Sequence, residues 1–175
     1  IIMATKFPAL LQIGIIVRDR DKAVENWKKL GFEMREPDSC MSGENPPLTD
    51  LTIDGENRQE LISKTAFFNC YGMEFELIEP VADTPYKRWL DEHGPGIHHI
   101  AVITEDGYDD VLKNYKDAKG TEPWIRGVGM NGLMDFSYLD LREELGIIAE
   151  CYRNIQPGRR GIKYEYEGID ASVKE

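Results

Sequence analysis

Residues 12–31 read QIGIIVRDRDKAVENWKKLG, and residues 99–120 read HIAVITEDGYDDVLKNYKDAKG. Each stretch opens with a short apolar run, passes through an Asp-containing turn, and continues with apolar residues at helical spacing. A glycine ends each copy, at the position where a helix commonly closes in a left-handed cap. This near-repeat indicates that the chain is built from two copies of one structural unit.

Strand-like runs follow both predicted helices and complete the two units. Residues 32–36, 61–69 and 73–79 follow the first helix, and residues 135–141 and 147–152 follow the second. Their apolar alternation and flanking turn residues are typical of β-strands. We therefore predict an α+β fold of two tandem βαβββ modules.

The remaining segments divide the chain into a first module, a linker helix, a second module and a C-terminal tail, at residues 10–80, 81–95, 96–153 and 154–175. The linker helix is predicted because Thr84 is a good N-cap, Pro85 suits the first turn, and Gly94 is a typical stop. Residues 38–57 are rich in Ser, Gly, Pro, Asn and Asp and predict a long loop, a kind of segment that often covers a site.

The charge balance excludes two classes of partner. The chain has 21 Lys and Arg against 32 Asp and Glu, a net charge of −11 at pH 7, whereas nucleic-acid binding and adhesion to anionic membranes both need basic surfaces. We expect a small-molecule substrate, with neither nucleic acid nor membrane as a partner. Three scattered cysteines without CxxC spacing, Cys40, Cys70 and Cys151, predict reduced thiols and a cytoplasmic location.

Strand alternation places four polar side chains on the sheet face that points away from the helices. Gln12 and Glu76 belong to the first module, and His99 and Glu150 to the second; Gln12 and His99 occupy matching positions of the repeat. A buried carboxylate is costly unless it is paired or bound to a cation. Either glutamate alone is better explained by a solvated sheet face, but the four together could offer three oxygens and one nitrogen to a divalent metal.

Five segments carry a resemblance to a known family: 12–17 (QIGIIV), 74–80 (EFELIEP), 84–94 (TPYKRWLDEHG), 96–102 (GIHHIAV) and 146–150 (GIIAE). They resemble the vicinal oxygen chelate superfamily, also named for glyoxalase and bleomycin-resistance proteins, and are closest to its methylmalonyl-CoA-epimerase-like proteins. The resemblance implies a glyoxalase-like fold, with a curved sheet around a cavity for metal and substrate. It also implies a homodimer, which light scattering of a monomer across micromolar concentrations would contradict.

By the same resemblance, the metal ligands are Gln12, Glu76, His99 and Glu150, and the ion is Co, Mn, Ni or Zn. Epimerase-like members usually carry His at the first of these positions, whereas the set Gln, Glu, His and Glu occurs in some glyoxalase I enzymes. Epimerases of this group use two carboxylates as acid and base on opposite faces of the substrate. These correspond here to Glu150 and, through a looser match of residues 60–69, to Glu60.

The resemblance implies a metal-dependent epimerase or racemase that inverts an acidic carbon next to a carbonyl through a metal-stabilised enolate. Its substrate would be methylmalonyl-CoA-like or an aromatic ketone such as an isoflavanone. One alternative is a glyoxalase I-type lyase, which Gln12 favours. Another is a non-catalytic small-molecule-binding protein of the same fold, which the retained Glu76, His99 and Glu150 disfavour.

The expected substrate contacts are the large apolar residues around the Gly-rich residues 127–132, namely Trp124, Met130, Phe136 and Tyr138. This stretch predicts either a mobile lid over an aromatic-lined pocket or a loop followed by a core strand. His98 alternates away from the four polar residues, so we expect a structural role for it and no effect of His98→Ala on metal or activity. Cys151 is expected in the core for the same reason.

Overall fold

The computed structural model describes residues 9–32, 48–70, 73–104, 107–129, 132 and 134–154. Within these ranges the chain forms, in order, β1 (Ala9–Ile16), α1 (Arg20–Lys29), β2 (Thr49–Ile53), β3 (Glu56–Asn57), β4 (Ser63–Cys70), β5 (Met73–Pro80), α2 (Pro85–His93), β6 (Gly96–Ile103), α3 (Tyr108–Lys119), β7 (Ile125–Gly129), β8 (Met134–Leu141), α4 (Arg142–Leu145) and β9 (Ile147–Asn154). In this part of the chain, no helix is long and apolar enough to cross a bilayer.

The strands of the described residues join one curled, mixed sheet in the order β3-β2-β7-β8-β9-β6-β1-β5-β4. At its centre β1 and β6, which begin the two repeats, run antiparallel. Each is flanked by a parallel strand from its own module, since β5 pairs with β1 and β9 pairs with β6. The half-barrel confirms the predicted glyoxalase-like fold class. The boundaries drawn between the modules stay predictions.

Helices α1 and α3 pack on the outer face of the sheet, as the repeat predicts. Trp27 of α1 lies against Phe68 and Phe75, with ring centroids 4.6 and 6.5 Å apart. Around α3, the buried residues Tyr108, Val111, Tyr115, Leu139 and Cys151 form one cluster. The expected core position of Cys151 is confirmed, and burial raises the pKa of its thiol to about 12.

The inner face, which carries Gln12, Glu76, His99 and Glu150, is partly covered by α2, and the β2–β3 hairpin adds side chains to it at the sheet edge. The predicted linker helix is confirmed as α2, and the hydroxyl of Thr84 caps it by accepting a hydrogen bond from the backbone N–H of Lys87. Side chains of the sheet, the helix and the hairpin form one buried cluster: Ile16, Leu51, Ile53, Ile62, Ile78, Tyr86, Leu90, Ile125, Phe136, Tyr138 and Ile148.

The prediction of a loop over residues 38–57 is wrong for its second part. Strands β2 and β3 pair with each other there, and β2 also pairs with β7 at the edge of the second module. The turn between them is Asp54-Gly55, both with positive φ, which is the usual two-residue hairpin turn. Residues 38–47 lie outside the described residues.

The Gly-rich stretch contributes to a strand. Residues 127–129 belong to β7, which pairs with β8, so Gly127 lies opposite Phe136. A Cβ at Gly127 would lie 3.1 Å from the ring of Phe136, so the close approach of this ring favours glycine there. Met130, like the tail from residue 155 onward, lies outside the described residues.

Candidate metal centre

The four polar residues predicted as ligands lie on four adjacent strands at the centre of the sheet. Gln12 is on β1, Glu76 on β5, His99 on β6 and Glu150 on β9, and none is more than 8% exposed. A solvated sheet face, the ordinary explanation for either glutamate alone, does not describe this surface. Alternation along the strands therefore locates the four residues correctly.

Three of the four converge closely. The ligand atoms of Glu76, His99 and Glu150 all lie within 4.8 Å of one another. Nε2 of His99 is 3.1 Å from Oε2 of Glu150 and 3.9 Å from Oε2 of Glu76. Metal–ligand bonds of about 2.1 Å put two donor atoms at most about 4.2 Å apart, so a divalent ion fits among these three side chains after small adjustments.

Without a cation, the burial of these charged groups is unfavourable in free energy. Two carboxylates lie beside one imidazole in a largely dry environment, where like charges repel and lost hydration is not recovered. Within the described part of the chain, Nε2 of His99 and Oε2 of Glu150 lack a hydrogen-bond partner of suitable geometry. Orphaned buried polar atoms of this kind call for an ion or a ligand, and the donor set of Glu76, His99, Glu150 and Gln12 suits a divalent metal.

Small residues at the two central strands leave room for the ligands. Gly14 on β1 pairs with His99 on one side and with Glu76 on the other. A Cβ at position 14 would overlap the imidazole ring of His99. At the matching position of the second module, Ala101 pairs with Glu150. The imidazole of His99 thus lies in space that only glycine provides.

His98 contacts the site, which strand alternation did not predict. Gly14 pairs with His99, whereas Ile15 pairs with Ile97, so His98 is the extra residue of a β-bulge, which breaks the alternation. Nδ1 of His98 lies 3.1 Å from Nδ1 of His99, and both rings are buried. The sequence offers no specific signal for this bulge.

The contact between the two rings allows a tautomer in which His99 can bind a metal. Burial, with a smaller contribution from His99, lowers the pKa of His98 to about 2, so its ring is neutral. When Nδ1–H of His99 donates to Nδ1 of His98, Nε2 of His99 keeps its lone pair and can bind a metal. In this tautomer His98 orients His99, a role that stays a prediction beside the structural role expected for it.

Glu74 and three tyrosines add polar groups to the inner face. Nε2 of Gln12 donates a hydrogen bond to Oε1 of Glu74 at 2.7 Å, and the Tyr152 hydroxyl donates to Oε1 of Gln12 at 3.5 Å. The three tyrosines are Tyr86, Tyr138 and Tyr152. Burial raises their pKa values well above 10, and the negative charge of Glu150 is the second cause. Their hydroxyls therefore stay protonated. Alternation put Glu74 beside Glu76, but nothing in the sequence singled it out.

A family model decides the classification. The model of the Glyoxalase/Bleomycin resistance protein/Dioxygenase superfamily matches residues 11–134. The chain belongs to this superfamily. The match includes three of the four candidate ligands, Gln12, Glu76 and His99, and ends before Glu150.

Solved structures with the same glyoxalase-like fold include methylmalonyl-CoA epimerases. The Streptomyces coelicolor enzyme, in complex with 2-nitronate-propionyl-CoA, is 22% identical with a TM-score of 0.60, over 86% of this chain and 100% of that chain. The Mycobacterium tuberculosis enzyme is 19% identical with a TM-score of 0.59, over 90% and 95%. A hypothetical protein from Bacillus halodurans is 18% identical with a TM-score of 0.57, over 85% and 96%. At these identities the likeness shows the glyoxalase-like fold alone.

One curated relative matches over a short segment. YqjC, an uncharacterized protein of Bacillus subtilis, is 41% identical over 49 residues, which are 27% of this chain and 35% of that protein. The match thus spans about a third of that relative's length. It assigns no role to any residue of this chain.

Glu60, the predicted second carboxylate, lies outside the ligand cluster. It follows the β2–β3 hairpin, its side chain is 41% exposed, and it is paired with Arg58. This ion pair lowers the pKa of Glu60 to about 2. The residues of β4 opposite Ile78 and Glu76 are Thr65 and Phe67, neither of which is acidic. The role of Glu60 as the second carboxylate stays a prediction.

Two of the predicted substrate contacts lie on the same face as the ligands. Phe136 and Tyr138 are buried in the cluster of the inner face, and the ring of Tyr138 lies 4.9 Å from that of His99, edge to face. Trp124 is partly buried, and the guanidinium of Arg142 lies 4.8 Å from the centre of its ring. A role of these residues in substrate binding stays a prediction.

Proposed function

We propose that this member of the superfamily is a metal-dependent epimerase or racemase that inverts an acidic carbon next to a carbonyl group. The observation that supports it best is the buried cluster of Glu76, His99 and Glu150, with Gln12 on the neighbouring strand. A divalent cation bound there, Co, Mn, Ni or Zn, would stabilise the negative charge that forms on the substrate oxygen when the α-proton leaves.

Glu150 is the residue we assign to proton transfer. One of its oxygens faces Nε2 of His99 at 3.1 Å, and its side chain is 3% exposed. A carboxylate has two oxygens, so one can serve the cation while the other moves the proton. A positioned carboxylate contributes on the order of 10²–10⁴-fold to such a step.

Inversion also requires a proton donor on the other face of the carbon. The family resemblance assigns this role to Glu60, which lies outside the ligand cluster and is paired with Arg58. The hydroxyls of Tyr86, Tyr138 and Tyr152 keep their protons because burial raises their pKa values. The inner face therefore also carries protonated hydroxyls, and the second proton transfer belongs either to Glu60 or to one of these tyrosines.

The substrate class follows from this chemistry: a carbonyl compound with an acidic neighbouring C–H bond. A methylmalonyl-CoA-like thioester is one form, supported by the shared fold with an epimerase solved with 2-nitronate-propionyl-CoA. An aromatic ketone is the other, supported by Phe136 and Tyr138 beside His99 on the inner face.

A glyoxalase I-type lyase is the second candidate. The specific observation in its favour is Gln12, buried at the first of the candidate ligand positions. A lyase of this type moves a proton between adjacent carbons, so it needs no carboxylate on the opposite face. A non-catalytic binder would have no need to bury Glu76, His99 and Glu150 together.

Proton exchange in D₂O separates these functions. Purified protein would be incubated with Co²⁺, Mn²⁺, Ni²⁺ or Zn²⁺ and with methylmalonyl-CoA, a chiral isoflavanone or the glutathione hemithioacetal of methylglyoxal. We expect metal-dependent deuterium uptake with loss of chirality and no new product for one of the first two. Product from the hemithioacetal alone would replace the proposal by the lyase, and no exchange with any of them would contradict both.

Variants assign the proton transfer within the same assay. Glu150→Gln should abolish exchange, because the isosteric amide neither accepts the proton nor carries the charge. Glu60→Gln identifies the second proton donor, because loss of inversion assigns that role to Glu60 and a wild-type rate assigns it to a tyrosine. Equal rates for wild type and Glu150→Gln would exclude Glu150 from the reaction. The homodimer stays an expectation of the family resemblance.

A further inference from the structure

Glu74 is a buried carboxylate that the proposed reaction does not use. It lies on β5, two residues before Glu76 on the same inner face, and it is 8% exposed. In the sheet it is the register partner of Gln12. Its Oε1 accepts the hydrogen bond from Nε2 of Gln12 at 2.7 Å, so the two side chains form a buried polar pair.

This pairing decides which way the Gln12 amide points. Oε1 of Glu74 accepts from the NH₂ end of the amide, which leaves the carbonyl oxygen on the other side. The Tyr152 hydroxyl, a donor, lies 3.5 Å from that oxygen, which agrees with the same orientation. Divalent metals bind an amide through its oxygen, so the orientation determines whether Gln12 can be a ligand.

We propose that Glu74 is a positioning residue, which holds the Gln12 amide with its oxygen available to the metal. This role rests on the metal centre of the proposed function and adds to it a residue outside the ligand set. It also gives a physical reason why glutamine can serve at this position. An amide without a fixed partner can turn over and present its NH₂ group, whereas Glu74 makes that orientation unfavourable.

In the second module, His98 contacts the ligand His99 as Glu74 contacts Gln12 in the first. His99 occupies the repeat position that matches Gln12, and its Nδ1 is held by Nδ1 of His98 at 3.1 Å. In each module a buried neighbour engages one end of the ligand side chain and leaves the other end for the metal. Partners of this kind typically change metal affinity by about 10–100-fold.

Titration of the full chain with Co²⁺ tests the role of Glu74. Glu74→Gln keeps the shape of the side chain but offers Gln12 both a donor and an acceptor, so the amide is no longer fixed. We expect its Co²⁺ affinity to fall by about 10–100-fold, with an unchanged far-UV circular dichroism spectrum. Glu79→Gln, which removes a carboxylate from the same strand, is the control and should bind as wild type does.

A double variant shows whether Glu74 acts through Gln12. Gln12→Ala removes the amide, so adding Glu74→Gln to it should cause no further loss of affinity. A full additional loss would overturn the proposal, because Glu74 would then act on the metal or the fold directly. Unchanged affinity in Glu74→Gln alone would overturn it as well. Absence of Co²⁺ binding by the wild-type protein would overturn both this role and the proposed metal dependence.

A measurement on the wild-type protein needs no variant at position 74. The side-chain amide signals of Gln12, identified by their loss in Gln12→Ala, should exchange slowly with solvent because the group is buried and bonded to Glu74. Gln59, which is exposed next to Glu60, supplies the fast-exchanging reference. Exchange of the Gln12 amide as fast as that of Gln59 would contradict a fixed orientation.

Discussion

Gly14 shows how strongly the site depends on a missing side chain. Gly14→Ala would place a methyl group within the imidazole of His99. We expect the variant to lose about 1–3 kcal/mol of stability through overpacking and to bind Co²⁺ more weakly, because His99 must move. Urea unfolding and Co²⁺ titration measure the two effects.

Gly96→Ala is the matched control for this prediction. Its Cβ would meet only Trp89, at an ordinary 3.6 Å, so its stability and affinity should stay close to wild type. If Gly14→Ala behaved like this control, the imidazole of His99 would not occupy the space above Gly14.

His98 gives a second prediction at a single residue, which replaces the sequence-based expectation that this side chain is dispensable. His98→Leu should weaken Co²⁺ binding by about tenfold or more, because Nδ1 of His99 loses its partner. His98→Asn should recover much of that affinity, since its amide oxygen lies near the position of Nδ1 and accepts the same hydrogen bond. Equal affinities in wild type and His98→Leu would return His98 to a structural role.

Single residues also show where sequence reasoning works. Alternation located Gln12, Glu76, His99 and Glu150 because the central strands are regular at those positions. It failed at His98, where a β-bulge inserts one residue, since a bulge depends on the register between strands and has no local pattern.

Among the elements, the β2–β3 hairpin is the part that local sequence described least well. Asp54-Gly55 is a hairpin signal, but the composition of the segment favoured a loop. No local pattern reveals that β2 pairs with β7, a strand of the second module. The position of Glu60 is equally hard to predict, because it depends on where the hairpin ends. Elements with helical periodicity and clear caps, such as α1 and α2, were predicted closely.

Packing of the hairpin on the inner face can be tested at Ile53. Its side chain is 2% exposed and belongs to the cluster with Ile125 and Tyr138. Ile53→Ala should cost about 2–5 kcal/mol of unfolding free energy, measured by urea denaturation. Thr52→Ala, at the neighbouring position that points the other way, should cost much less. A similar small loss for both variants would show that the hairpin does not pack there.

At the scale of the whole molecule, buried tyrosines predict loss of stability in alkali. Burial raises the pKa of Tyr108 to about 12 and the pKa values of Tyr86, Tyr138 and Tyr152 well above 10. A folded-state pKa above the unfolded value favours the folded protein below about pH 10, and this contribution is lost as the pH rises further. The melting temperature should therefore fall steeply above about pH 10.

Absorbance at 295 nm checks the cause of this alkaline transition. The chain has eight tyrosines, and the four with raised pKa values should ionise only as the protein unfolds. If all eight ionised near pH 10 while the circular dichroism spectrum stayed native, the inner face would be open to solvent and the account of its burial would be wrong.

The central claim is that Gln12, Glu76, His99 and Glu150 form one divalent metal centre, and Co²⁺ stoichiometry with the visible spectrum of bound Co²⁺ tests it most directly. We predict one ion per chain for the wild type and for Glu60→Gln, and loss of that ion or a marked drop in affinity for Glu150→Gln. No bound ion in the wild type, or equal binding by Glu150→Gln, would contradict the metal centre.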